Sequence, residues 1–142
     1  MSEDESFWTN ADVGKLILRI MLGGLIFLHG WHKVLHGIDN QMQMLAGNGI
    51  PGVFMYFAYI SEVLAPILIV VGVYTRLSSL SIVVTLITIL YVIPVPLLSL
   101  NEHGALNIEG QLFYLLSPAA LFFLGTGRYR VWNSGAKHWL LD

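Results

Sequence analysis

The sequence predicts an all-α fold, a four-transmembrane-helix up-down bundle with both termini on the cytoplasmic side. Three observations carry that expectation. Hydrophobic residues make up 56% of the 142-residue chain and charged residues only 11%, with a mean hydropathy of +0.70, whereas soluble domains carry about 25% charged residues. The run from Leu77 to Asn101 contains no charge and exceeds the roughly 20 residues that cross a bilayer. Three further apolar stretches accompany it, joined by short polar connections.

The first span, about residues 13–35, is apolar in its middle but holds Arg19, His29, His32 and Lys33. The second, about 52–74, contains one charge, Glu62. The third, about 77–100, offers no polar outer face and so cannot belong to a soluble amphipathic bundle. The fourth, about 108–126, has near-minimal length. Between the first two, Ile38, Met42 and Leu45 fall at helical spacing before Asn48, Gly49 and Pro51, which predicts a short interfacial helix closed by a turn. A cleaved secretory signal would begin with basic residues, and this chain begins with Glu3, Asp4 and Glu5. Residues 1–142 read as one membrane domain, with 127–142 a basic, aromatic tail on the inner surface.

Orientation follows from the cations, because loops rich in Lys and Arg remain cytoplasmic. Lys15, Arg76, Arg128, Arg130 and Lys137 lie on the side of the termini, and Lys33 alone lies beside the opposite loops. Trp8, Trp132 and Trp139 fall near the inner boundary and Trp31 near the outer one, where amphipathic rings anchor. Seven Lys plus Arg against nine Asp plus Glu give a net charge of -2, which excludes a nucleic-acid partner. The chain has no cysteine, so disulfides, iron–sulfur clusters and thiolate zinc sites are excluded. Redox chemistry would need a bound cofactor or a partner protein.

Charges inside hydrocarbon cost roughly 2.5–3.5 kcal/mol each on insertion scales and normally face a partner or a cavity. Arg19, Gly23, Ile26, Gly30 and Lys33 form one stripe of the first helix. Small residues there allow a neighbouring helix to approach closely, while Arg19 and Lys33 either reach acids on that neighbour or snorkel to opposite headgroup layers. Glu62 lies about 15 Å deep by helical rise. Pro66 removes the N–H that would otherwise bond the Glu62 carbonyl, so an acceptor stands beside the carboxylate. Arg19 from below and His29 from above are the expected donors to Glu62; a protonated Glu62 or a bound ligand are the alternatives. Glu109 is either a charged first turn complementing the helix dipole or a partner of Lys33 or His32 in a shallow outer pocket with Glu102 and His103.

His29, His32, His36 and His103 are the metal-ligating residue type, but two residues of one helix cannot supply opposite axial ligands to a haem, and no Glu-x-x-His follows Glu62 or Glu109. No metal site is expected. Ser78, Ser81, Thr85 and Thr88 line one face of the third helix and read as packing contacts. Pro94, Pro96 and Pro118 loosen the outer half, which suits a small cavity.

Arg19, Gly23, Leu28-His29-Gly30, Lys33, Glu62, Gly72 with Thr75-Arg76, Gly104 with Glu109, and Gly125-Thr126-Gly127-Arg128-Tyr129 occur in this order across nearly the whole chain. In that ordered set the chain resembles the DoxX family. The resemblance implies a multi-pass protein of the bacterial inner membrane. It also implies association with redox proteins, as for relatives that are membrane subunits of thiosulfate:quinone oxidoreductase. Arg19, Lys33, Glu62 and Glu109 fall where the family keeps polar residues, whereas His32, His36 and residues 101–103 match no such pattern.

The leading functional expectation is a membrane subunit of a quinone-linked redox assembly, holding a small polar-headed lipophile near Glu62 and His29. The ligand-site candidates are Arg19, His29, Lys33, Glu62 and Glu109, with no covalently bound cofactor and a quinone as the expected ligand. The alternatives are a non-catalytic scaffold that docks partners and, more weakly, a transporter of a small solute or proton. The expected partners are the lipid bilayer and redox proteins, and the oligomeric state is left open.

Overall fold

The computed structural model describes residues 10–94 and 96–131, and these are helical with no strand among them; the nearest approach to one is a single antiparallel bridge between Leu100 and Leu106. Trp8, Trp132, Trp139, Lys137 and most of the expected tail lie outside the described residues. The helices are α1 (Ala11–His36), α2 (Asp39–Gly47), α3 (Gly52–Val71), α4 (Thr75–Val92) and α5 (Glu109–Leu124).

Helix α1 starts where the Asn10 side chain accepts the Asp12 N–H at 2.9 Å, which satisfies one of the first-turn donors that a helix leaves open. Its stripe of Arg19, Leu22, Gly23, Ile26 and Gly30 is buried. It stops at Gly37, whose φ of 79° favours a residue without Cβ. The expected interfacial helix is α2, with Ile38 and Leu45 buried and Met42 packed beside them.

Helix α3 is continuous but unevenly wound. A 3₁₀ turn over Gly52–Tyr56 passes into an α turn, then a π segment over Ile60–Leu64, and finally an α segment over Ala65–Val71. Pro66 supplies the reason. It has no N–H for the Glu62 carbonyl, and the turn widens so that the Ala65 N–H bonds the Ile60 carbonyl, five residues back. The α3 terminus is a left-handed glycine cap: Gly72 has φ 77° and ψ 40°, and the Val73 N–H returns to the Leu68 carbonyl at 2.9 Å.

Helix α4 is shorter than the uncharged run that contains it. The helix ends at Val92, and Ile93 is extended (φ -66°, ψ 129°), because Pro94 disfavours the α conformation in the residue before it. The expected span to residue 100 is therefore corrected: the described residues beyond Val92 leave the helix, and the Asn101 side chain holds a turn by accepting from His103 N and Ala105 N. Helix α5 holds Pro118 in its interior, buried against the other helices.

The principal core comprises Leu22 and Ile26 of α1, Ala65 and Ile69 of α3, Ile82 and Leu86 of α4, and Leu121 of α5. A second cluster, Ile38, Leu45, Met55 and Ala58, joins α2 to the start of α3. Two helices, Gly52–Val71 and Thr75–Val92, are long and apolar enough to cross a membrane, and Glu109–Leu124 is apolar but shorter. Large apolar side chains are exposed on every long helix, among them Leu28, Ile60, Ile87 and Phe123. A soluble protein seldom leaves so continuous an apolar surface open.

Helices α1 and α3 touch through backbone. A Cβ on Gly30 would collide with the Glu62 carbonyl oxygen, and one on Gly23 would lie 2.8 Å from the Pro66 carbonyl oxygen and 2.5 Å from Val70 Cγ2. Gly30→Ala is expected to destabilise the protein by about 1–3 kcal/mol, the usual range for overpacking. Reversible unfolding in detergent measures it, and Gly24→Ala, whose Cβ meets nothing within 4 Å, is expected to unfold like the unsubstituted protein.

Candidate functional site

Two polar centres lie on the α1–α3 contact. The first is at the end of the molecule where α1 begins and α3 ends. Arg19 is buried to 1% exposure, and its guanidinium donates from Nε to Ile69 O (2.8 Å), from one terminal nitrogen to Thr126 O (2.8 Å) and Tyr129 O (2.5 Å), and from the other to Val70 O (2.8 Å). Ile69 and Val70 belong to the last turn of α3, where carbonyls run short of intrahelical partners; Ile69 O also receives the Gly72 N–H at 3.2 Å, and a cation is favourable at that end of the helix dipole. Thr126 Oγ1 donates to Thr75 Oγ1 at 2.8 Å, with both residues buried. A Cβ on Gly72 would meet the Arg19 guanidinium and Thr126, and one on Gly125 would meet the Arg76 guanidinium. The Gly72, Thr75-Arg76 and 125–129 stretches thus meet around one arginine.

The expected Arg19 contact with Glu62 is therefore corrected. Arg19 lies eleven residues, about 16 Å of helical rise, below Gly30, the residue that faces Glu62. The same end of the molecule holds Lys15, which bonds Asp12 at 3.0 Å. That hydrogen bond from Lys15, reinforced by Arg128, holds the Asp12 carboxyl below its ordinary range.

The second centre is the Glu62 carboxylate. Lys33 Nζ donates to Glu62 Oε1 at 2.5 Å, with the side chains 15% and 4% exposed. Lys33 lies one turn beyond Gly30, so the backbone contact that brings Gly30 onto the Glu62 carbonyl also brings the ammonium to the carboxylate. His29 is not a donor to Glu62. Its Nδ1 lies 2.9 Å from Leu25 O, and its ring meets Tyr114 of α5 edge-on at 5.4 Å, because the residue before Gly30 points about 100° away from it. Among the described residues, Glu62 Oε2 is buried with no hydrogen-bond partner. Beside it the π segment turns Ser61 toward α4, where Thr85 Oγ1 donates to Ser61 Oγ at 2.7 Å.

A cavity of about 570 Å³ opens next to this pair, between α2, the N-terminal half of α3 and the C-terminal half of α4. Its polar lining comes from Lys33, Gln41, Thr85 and Thr88, and the rest is apolar, including Leu45, Phe57, Ala58 and Ile89. Ligand pockets for small molecules usually measure about 300–1,000 Å³ and combine apolar walls with a few placed polar groups. Glu109 occupies the exposed first turn of α5, and among the described residues no ion pair joins it to Lys33 or His32. His32 and His36 are exposed and stacked on each other at 4.1 Å. Among the described residues no three His, Asp or Glu side chains gather as a metal site.

Sequence reasoning missed Gln41, whose only signal was its position on a short helix, and Ser61, which was legible solely as the neighbour of Glu62.

Replacing Arg19 by Leu removes the guanidinium donors of the Val70, Thr126 and Tyr129 carbonyls, and a buried carbonyl left unpaired costs about 1–3 kcal/mol. Arg19→Leu is expected to lower the unfolding temperature far more than Lys33→Met, with Arg19→Lys intermediate, as read by thermal unfolding in detergent.

The DoxX family profile matches residues 14–94, a stretch containing the Arg19, Lys33 and Glu62 positions and both long apolar helices. The chain is 29% identical over 76 residues to a Bacillus subtilis (strain 168) protein named "Putative oxidoreductase CatD". The match covers 54% of this chain and 56% of that one, so the chain spans little more than half the length of this relative. No solved structure matches the chain. With more than half of its residues matched to the family, and with its motif residues meeting at the α1–α3 contact, the chain belongs to the DoxX family of membrane proteins.

Proposed function

We propose that the chain is a multi-pass protein of the bacterial inner membrane, a four-helix up-down bundle with both termini cytoplasmic. Its outer cavity binds a small polar-headed lipophile, a quinone, as the membrane subunit of a quinone-linked redox assembly. The observation that carries this reading is the apolar 570 Å³ cavity with Lys33 in its lining and Glu62 buried behind Lys33.

Topology follows from charge. Lys15, Arg76, Arg128 and Arg130 share the end of the molecule at which Arg19 ties the helices together, and Lys33 stands toward the other end, so the positive-inside rule makes the Arg19 end cytoplasmic. α2 and the cavity then face the outer half of the membrane. The redox assignment is supported by the name of the Bacillus subtilis relative and by the chemistry of the cavity lining.

A quinone supplies two carbonyl oxygens that accept electrons and protons. Lys33 Nζ has three donors, of which Glu62 Oε1 takes one, leaving others to orient such an oxygen. Glu62 stabilises the ammonium in apolar surroundings, and its second oxygen is an acceptor able to hold a proton. Thr85, Thr88 and Gln41 add hydroxyl and amide groups around the same space. The electrons would come from partner proteins, since the chain has no cysteine to relay them. The competing reading, a scaffold that docks partners, draws support from Arg19, whose bonds are all to backbone carbonyls.

The test uses purified protein in lipid nanodiscs and a photoreactive benzoquinone, with cross-linking yield measured against its mole fraction. Lys33→Met is expected to raise the half-saturating fraction about tenfold, the equivalent of one charge-assisted hydrogen bond. Glu62→Gln is expected to keep the fold and weaken binding as well. Unchanged binding in both variants favours the scaffold and defeats the quinone reading.

A further inference from the structure

A second hollow, of about 420 Å³, runs along the membrane-facing side of the α3–α4 seam. It shares Phe57 and Val84 with the outer cavity and continues past Ile60, Leu64 and Ser81 to Tyr74 at the cytoplasmic-end turn. From Val84 to Tyr74 it descends about 15 Å by helical rise. Its walls are apolar. The Ser81 hydroxyl on its side donates to Ser78 O at 2.7 Å and so is satisfied within α4.

We propose that this groove is the binding site for the hydrocarbon chain of the lipophile whose head occupies the outer cavity, and that the protein selects long-chain, polyprenyl-type ligands over short-chain ones. The inference rests on the quinone reading above and deepens it. Continuity is the argument. The two hollows share Phe57 and Val84 as walls, so a molecule with its head beside Lys33 can direct its chain along the groove. Polarity changes in the same order: Lys33, Gln41, Thr85 and Thr88 surround the outer hollow, and aliphatic and aromatic side chains dominate the inner one. The α3 unevenness contributes, because the π segment spans Ile60–Leu64 and Ile60 and Leu64 both form the groove wall. Among apolar acyl chains, burying more hydrocarbon brings no hydrophobic gain, so selection comes from packing and from tethering. A chain joined to a bound head enters the groove without a further loss of translational freedom, whereas an unattached lipid loses its own on being held there.

The experiment displaces the photoreactive benzoquinone from nanodisc-embedded protein with two non-photoreactive benzoquinones of identical head, one bearing a single isoprene unit and one a long polyprenyl chain. Amounts are expressed as mole fraction of lipid, which removes the difference in partitioning. The long-chain compound is expected to displace the probe at a fraction about tenfold lower, by the effective concentration of the tethered chain. Filling the groove with Ser81→Phe, or with Leu64→Trp should the first variant fail to fold, is expected to raise the long-chain value to the short-chain one and to leave the short-chain value unchanged. Equal displacement by both compounds in the unsubstituted protein overturns the inference, the groove then belonging to bulk lipid, and so does an equal loss for both in the groove variants. If neither compound displaces the probe, the quinone reading itself fails; displacement by both alike leaves that reading intact.

Discussion

The contact on which the rest of the molecule depends is backbone against backbone: Gly30 of α1 lying on the Glu62 carbonyl of α3. Hydrocarbon surroundings remove the hydrophobic drive for two helices to associate, leaving close packing and hydrogen bonds to do it. Pro66 leaves the Glu62 carbonyl without its usual N–H partner, and a glycine is the residue that lets another helix cover that oxygen. Once this register is set, everything else on the stripe follows. One turn further, Lys33 reaches Glu62; eleven residues the other way, Arg19 reaches the carbonyls of the last turn of α3.

The two cations on that stripe differ in what they meet. A guanidinium presents five N–H donors in a planar fork, and Arg19 spends them on carbonyls of α3 and of the segment after α5. No acid is involved, and the result holds three chain segments together. An ammonium is a compact charge with rotatable donors, and Lys33, paired with Glu62, lines open volume at the same time. Four bonds to backbone carbonyls mark the first as an architectural centre, and the second keeps donors in reserve beside a cavity.

Much of the helical layout was legible in the sequence, because apolar length and the placement of charges are properties of composition. The stripe bearing Arg19 and Lys33 was legible as well, as was the unusual depth of Glu62. Which cation meets Glu62 was not. Arg19 and Lys33 lie about four turns apart on α1, so which of them meets Glu62 depends on the axial register of two helices, and that register is fixed by glycine contacts between segments distant in the chain, which periodicity does not report. His29 was misassigned for a related reason: on a helix the neighbour of an inward-facing glycine points elsewhere. The end of α4 was readable in principle, from Pro94, but absence of charge says nothing of where helical backbone stops. The cavity lay beyond reach because half of its lining comes from packing α2 against α3.

A turn closed at five residues instead of four amounts to one amino acid inserted into a regular helix. Seven residues make nearly two full α-helical revolutions, so an evenly wound α3 would display Ala58 and Ala65 along a common line. The wider turn between them adds one residue, about 100° of phase, and the two sit in different clusters, Ala58 with α2 and Ala65 in the principal core. One rod thereby behaves as two differently phased halves, with Ser61 and Glu62 at the joint, and losing a single residue there would swing the outer half by about 100° and disassemble the chamber without touching any group that lines it.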